Sequence, residues 1–161
     1  MLLNYLKTNG LTIDAIVATH GHLDHLWGAA WASRTFALPV RMHEADIPMA
    51  QAMQRQYDLF GIGGTPEAFP IEPLSPADTV GWFSVIPTPG HTPGGICLYC
   101  EQENLLFSGD TLFRYGYGRT DLPGGNTAQL IQSLERLFAL PPATRVFPGH
   151  GEATTIGAEA R

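Results

Sequence analysis

Apolar and polar positions along this chain switch repeatedly between a helical and an extended period. Residues 2–9 carry Leu2, Leu3, Tyr5 and Leu6 and end at Asn9-Gly10, which predicts a short helix closed by a glycine cap. Asp14 to Thr19 is a short apolar run between turn-formers and predicts a buried strand that delivers His20 at its end. Helical spacing resumes over residues 25–36. Asp24 stands in an N-cap position there, and Trp27, Trp31 and Phe36 are expected as core along one face. Val40 to His43 predicts a short strand, and Ala45 to Phe60 a helix whose regular part begins near Pro48.

Gly61 to Pro76 is a Gly/Pro-rich connection with no assigned element. Two strands between Trp82 and Cys100 bracket the loop Pro87-Thr88-Pro89-Gly90-His91-Thr92-Pro93, and Asn104 to Ser108 predicts a third strand. Leu112 to Asn126 reads as a long loop, Thr127 to Phe138 as a helix, and Arg145 to Phe147 as a last strand. Alternating strands and helices predict an α/β fold with helices packed on sheet faces. The whole chain, 1–161, fits one domain.

Composition changes this picture little. Hydrophobic residues make up 44% and charged residues 15%, an ordinary globular balance. The formal charge of −6, with Lys7 the only lysine beside eight scattered arginines, offers no basic track for nucleic acid. No apolar run approaches the ~18 residues of a membrane span. Cys97 and Cys100 lie three apart on an expected strand and so face opposite ways, which disfavours a shared metal or disulfide. Buried free thiols in a reducing, cytoplasmic setting are the expectation. No Gly-x-Ser-x-Gly elbow is present, so no protein nucleophile is called for.

The candidate chemistry sits where the strands end. His20-Gly21-His22-Leu23-Asp24-His25 offers four potential ligands within six residues, and His91, Asp110 and His150 each follow a predicted strand. Neutral imidazoles and carboxylates are the donors that divalent metals take. His20, His22 and His91 would hold one ion and Asp24, His25 and His150 a second. Asp110 is shared, because a carboxylate can bridge two cations. Zinc is the first expectation, with iron or manganese as alternatives. His43 has no metal-like neighbours and is expected to be structural or exposed.

These motifs resemble the metallo-β-lactamase superfamily. Thr88-Pro89-Gly90-His91-Thr92-Pro93-Gly94, Ser108-Gly109-Asp110-Thr111, Gly118-Arg119-Thr120-Asp121 and Pro148-Gly149-His150-Gly151 look like its compact glyoxalase II-like hydrolases. The resemblance implies an αββα sandwich, here expected to lack the opening strands and so to leave a sheet edge free to pair with another copy. It implies hydrolysis of a thioester such as S-lactoylglutathione by a metal-bridging hydroxide. Asp24 and Asp110 are the expected catalytic carboxylates, and Arg119 matches a position that contacts glutathione. The helical C-terminal domain of full glyoxalase II has no counterpart. Alternatives from the same ligand set are a mononuclear-iron persulfide dioxygenase, a small-molecule phosphodiesterase, or an inactive metal-binding remnant. β-Lactam hydrolysis fits less well, because the best-known zinc β-lactamases place a cysteine, or no bridging acid, where Asp110 stands.

Overall fold

Three apolar clusters define the layers of the computed structural model, which describes residues 1–160. The first joins the strands β1 (Ile16–Val17) and β2 (Val40–Met42) to helices α2 (Leu23–Leu26), α4 (Ile47–Gln51) and α5 (Met53–Leu59). The second, around Cys97, Leu106 and Val146, packs another sheet against α6 (Thr127–Phe138) and Ile156 of α7 (Ile156–Glu159). Between the sheets lies a third cluster of Leu74, Val85 and Ile96, joined by Val17 and Leu98. Helix, sheet, sheet, helix is the predicted αββα order.

The first sheet is parallel, in the order β1-β2-β3 with β3 at Ile71–Pro73. The second has six strands in the order β11-β10-β7-β6-β5-β4: Thr154–Thr155, Arg145–Pro148, Leu105–Gly109, Ile96–Cys100, Phe83–Pro87 and Thr79–Val80. Its β10–β7 pair is parallel and its other pairs antiparallel. The strands of the first sheet are only two or three residues long. They leave part of the facing sheet uncovered. Phe107, 40% exposed, sits there between Phe83 and Phe147 in an aromatic row. β1 is an edge strand.

Several elements follow the sequence closely. α1 (Leu2–Asn9) ends at Gly10 with φ 61, and α6 starts where Asn126 Oδ1 accepts the Gln129 amide at 3.0 Å. Others depart from it. The helix expected over 25–36 breaks at Trp27-Gly28 into α2 and α3 (Ala29–Phe36), and His22, not Asp24, takes the N-cap position. Asp24 lies in the first turn. Trp27 and Trp31 are 63% and 44% exposed and Phe36 is half-buried, so these three are not core. The buried stripe is Leu23, Leu26, Ala30 and Ser33, whose smaller residues let the helices approach the sheet. The tryptophans fall on the neighbouring stripe, where Trp27 stacks on Tyr57 and Trp31 meets Phe36 edge-on. The Ala45–Phe60 helix is a 3-10 turn (Glu44–Asp46) followed by α4 and α5. β3 arises within the Gly61–Pro76 connection, and the long loop contains a hairpin, β8 (Leu112–Phe113) and β9 (Gly116–Tyr117).

Cys97 and Cys100 are both free and buried. Burial pushes the Cys97 thiol up to about 11, although Thr88 and Thr111 oppose it. A thiol-reactive dye at pH 8 should therefore label neither cysteine in native protein and both in denaturant. Rapid native labelling of either would contradict this packing.

Candidate metal centre

All four chain segments that carry candidate ligands leave a strand and turn into one cleft. His20 follows β1, His91 follows β5, Asp110 follows β7 and His150 follows β10. Glycines make the convergence possible. Gly109, at φ 49, lets the β7 turn pass Thr19, where a Cβ would come within 2.6 Å of the Thr19 hydroxyl. At Gly149 a side chain would overlap Asp110 and His25, and at Gly118 it would overlap the Asp110 carbonyl.

A carboxylate outside the candidate ligand set ties the loops together. Asp46 is fully buried, and its Oδ2 accepts the Gly21 amide at 2.8 Å and the Thr92 hydroxyl at 2.7 Å. Its Oδ1 accepts the Gly94 amide at 2.6 Å. One side chain thus fixes the His20–His22 turn against the His91 loop. Gln56 on α5 adds a second tie, accepting the Leu23 amide and donating to the Gly21 carbonyl, both at 2.9 Å. His43 is exposed to neither metal-like group and caps the 3-10 turn by accepting the Ala45 amide at 3.2 Å.

The seven predicted side chains come together in two neighbouring sets. His20, His22 and His91 form one compact group and Asp24, His25 and His150 another. His20, His25 and Asp110 form a third grouping between them. Nδ1 of His22 lies 2.9 Å from Nε2 of His91, and Nε2 of His25 lies 3.2 Å from Nε2 of His150. Asp110 Oδ2 is 3.6 Å from His91 Nε2 and 3.5 Å from His150 Nε2, so it reaches both sets. Asp24 Oδ2 approaches His150 Nε2 at 3.0 Å.

The donor set fits divalent metal. His91 Nδ1 donates to the Arg119 carbonyl at 2.7 Å, which in the neutral ring leaves Nε2 with its lone pair facing His20 and His22. His20 Nδ1 contacts the Thr19 hydroxyl at 3.2 Å, while its Nε2 is buried without a partner. Asp110 Oδ1 is also buried and unpartnered. His25 Nε2 lies 3.2 Å from it, near enough for charge attraction. Orphaned buried donors and acceptors are costly, and here they point at one another. A cation between them resolves that cost.

Electrostatics point the same way. Burial, reinforced by the surrounding histidines with His25 foremost, holds His20 far below its ordinary pKa. Burial and then His91 lower His22. Both rings are thereby kept neutral, the form that ligates. Burial works against a charged His25, but Asp110 and Asp24 outweigh it and raise its pKa. Burial likewise opposes the Asp110 carboxylate, yet His25, His150 and His91 hold it below the usual carboxylate range.

A cavity of about 640 Å³ opens over this centre, walled by Phe60, Ile62, Phe113, Tyr117 and Leu122. Arg119 reaches its rim, but its guanidinium forks onto Asp121 with contacts of 2.7 and 2.6 Å and is more than half exposed. That pairing draws Asp121 down to about 2. Arg119, expected to act through its side chain, meets the centre through its backbone carbonyl, which orients His91. Asp46, Gln56 and the Arg119 carbonyl had no signal in the sequence, since each works through a contact many residues away.

Residues 1–150 match the family model described as the metallo-β-lactamase superfamily. The chain is 31% identical to hydroxyacylglutathione hydrolase GloC of Haemophilus influenzae, over 99% of this chain and 79% of that protein. It superimposes on the di-iron-bound structure of TTHA1623 with a TM-score of 0.91 at 41% identity, covering 99% of this chain and 81% of that one. The B3 metallo-β-lactamase BLEG-1 follows with a TM-score of 0.85 at 38% identity, covering 98% and 79%. ETHE1 from Myxococcus xanthus gives 0.73 at 31%, covering 99% and 65%. Seven clustered ligand-type side chains at strand ends, an αββα core and agreement with the family model over nearly the whole chain lead to one assignment: this chain belongs to the metallo-β-lactamase superfamily.

Proposed function

We propose that the chain is a metal-dependent thioesterase of the glyoxalase II-like type, with two divalent cations held by His20, His22 and His91 and by Asp24, His25 and His150. Asp110 is shared between them. The observation that carries the reading is Asp110, its side chain 10% exposed and reaching both histidine sets at 3.5 and 3.6 Å. Its company is the likeness to GloC. Zinc is the expected ion, and the di-iron form of TTHA1623 makes iron the first alternative. The two free, buried thiols accord with a cytoplasmic setting.

When bound, such cations acidify a water and polarise a carbonyl. The chain's own residues do the rest. His91 is held by the Arg119 carbonyl, and the Asp46 knot keeps the two histidine loops in register. Water oxygen bonds to the acyl carbon, the carbon–sulfur bond breaks, and its electron pair leaves on sulfur as thiolate, which is then protonated. Asp24, half exposed at the cavity rim and 3.0 Å from His150, is the carboxylate placed to take the proton from water. The apolar cavity wall suits an acyl thioester better than a phosphodiester. Among the described residues its one lining cation, Arg119, is already occupied by Asp121.

A panel tests this directly. Purified protein should cleave S-lactoylglutathione, lose that activity to a chelator, and regain it with about two metals per chain. A mononuclear-iron persulfide dioxygenase is the alternative that the same ligand set offers, and oxygen uptake with glutathione persulfide at one iron per chain would replace the proposal with it. A chromogenic β-lactam belongs in the same panel because of BLEG-1, and turnover of it without thioester cleavage would overturn the thioesterase reading.

A further inference from the structure

Beside the metal-centre cavity runs a second trough of about 480 Å³, and His22, Phe60 and Leu122 line both spaces. Its floor is the α4–α5 face. Ala52, Arg55, Gln56 and Leu59 follow one another at helical spacing, and Met49 and Leu122 close the sides. Leu59 and Phe60 are 63% and 53% exposed, large apolar side chains left facing water at the mouth of a concave surface. Scattered exposed apolar residues need no explanation, but an apolar trough that shares a wall with a candidate metal centre does.

Arg55 stands on that face. It makes no ion pair and no side-chain hydrogen bond among the described residues. Arg34, Arg41, Arg114 and Arg119 each hold a carboxylate. A cation left unpaired on the wall of an apolar trough, in a chain of net charge −6, is suited to an incoming anion.

We infer that this trough is the acyl-arm subsite of the enzyme. It takes a medium-length aliphatic acyl chain, and Arg55 pairs with a carboxylate at the far end of that chain. The inference rests on the thioesterase reading and names its substrate class as ω-carboxyacyl thioesters. The acyl arm, rather than the thiol arm, is assigned here because the lining is apolar. Thiol carriers of the glutathione type are polar and peptide-like, and such an arm would leave its amides unpaired against Met49, Leu59 and Leu122.

The test uses metal-loaded protein and thioesters of one small neutral thiol, N-acetylcysteamine, carrying acetyl, hexanoyl or adipoyl groups. The hexanoyl-to-acetyl ratio of kcat/KM should be about tenfold or more, and the adipoyl ester should be cleaved at least as well as the hexanoyl. Arg55→Glu should lower the adipoyl-to-hexanoyl ratio about tenfold. Ala52→Trp, which fills the trough, should bring the hexanoyl-to-acetyl ratio close to one. Ratios within one variant cancel any loss of folded protein. A binding measurement runs alongside: the ¹³C-methyl resonance of Met49 should shift on titration with 1-hexanol and stay still in the Ala52→Trp variant. Equal cleavage of all three esters by the unsubstituted protein, or an adipoyl preference untouched by Arg55→Glu, would overturn the subsite. If no thioester is cleaved while the Met49 resonance still responds to 1-hexanol, the trough stands as an apolar binding site and the thioesterase reading is what has failed. If the resonance does not respond, the trough fails on its own.

Discussion

Replacing Asp110 by asparagine is expected to lower thioester cleavage on the order of a thousandfold and to reduce metal content below two per chain. The amide keeps the size of the carboxylate but offers one oxygen where two are needed. Its nitrogen would also face His91 or His150 with a donor instead of an acceptor. Metal analysis and kcat/KM on the same preparation check this together. Full activity at unchanged metal content would remove Asp110 from its shared position and with it the two-cation reading. Metal-free protein supplies a second readout. Asp110 titrates below its unfolded value, so its contribution to stability is present above the ordinary carboxylate range and is lost as pH falls through the depressed value. His25 titrates above its unfolded value, so its contribution is lost as pH rises through the raised one. The pair therefore stabilises the metal-free fold between those limits. The stability gap between parent and Asp110→Asn should be wider at pH 6 than at pH 9.

Asp46→Asn is expected to cost about 3 kcal/mol of stability and most of the activity, although Asp46 lies outside the candidate ligand set. Its two oxygens receive two amides and a hydroxyl, all in a site without solvent. An asparagine nitrogen would turn a donor toward a donor at Gly94 or at Gly21, leaving buried N–H groups unmet. Denaturant unfolding of the metal-free protein separates this from metal loss, and the midpoint should fall with little change in slope. A midpoint within experimental error of the parent would show that the loops are held some other way.

Much of the centre was legible along the chain because its parts are local. A strand is a short apolar run, and a ligand follows within a few residues of its end, as His20 follows β1 and Asp110 follows β7. The N-cap of α2 and the exposure of Trp27 and Trp31 were not legible. Two helical stripes compete near Leu23–Phe36, and the one with the smaller residues, Ala30 and Ser33, meets the sheet. β3, of which Ile71 is the one half-buried residue, has no pattern of its own and exists because β2 offers it a parallel partner.

By itself the sequence determined the donor types, their places after strands and the α/β alternation, since these depend on residue chemistry and on periods of two and 3.6; the αββα order came from the family resemblance. Tertiary structure alone decided which atoms serve. The Asp46 knot joins residues as far apart as Gly21 and Gly94, and the Arg119 carbonyl selects the His91 nitrogen. Those choices come from desolvation: a buried polar atom must find whichever partner the folded chain brings within reach, and no local pattern encodes that meeting.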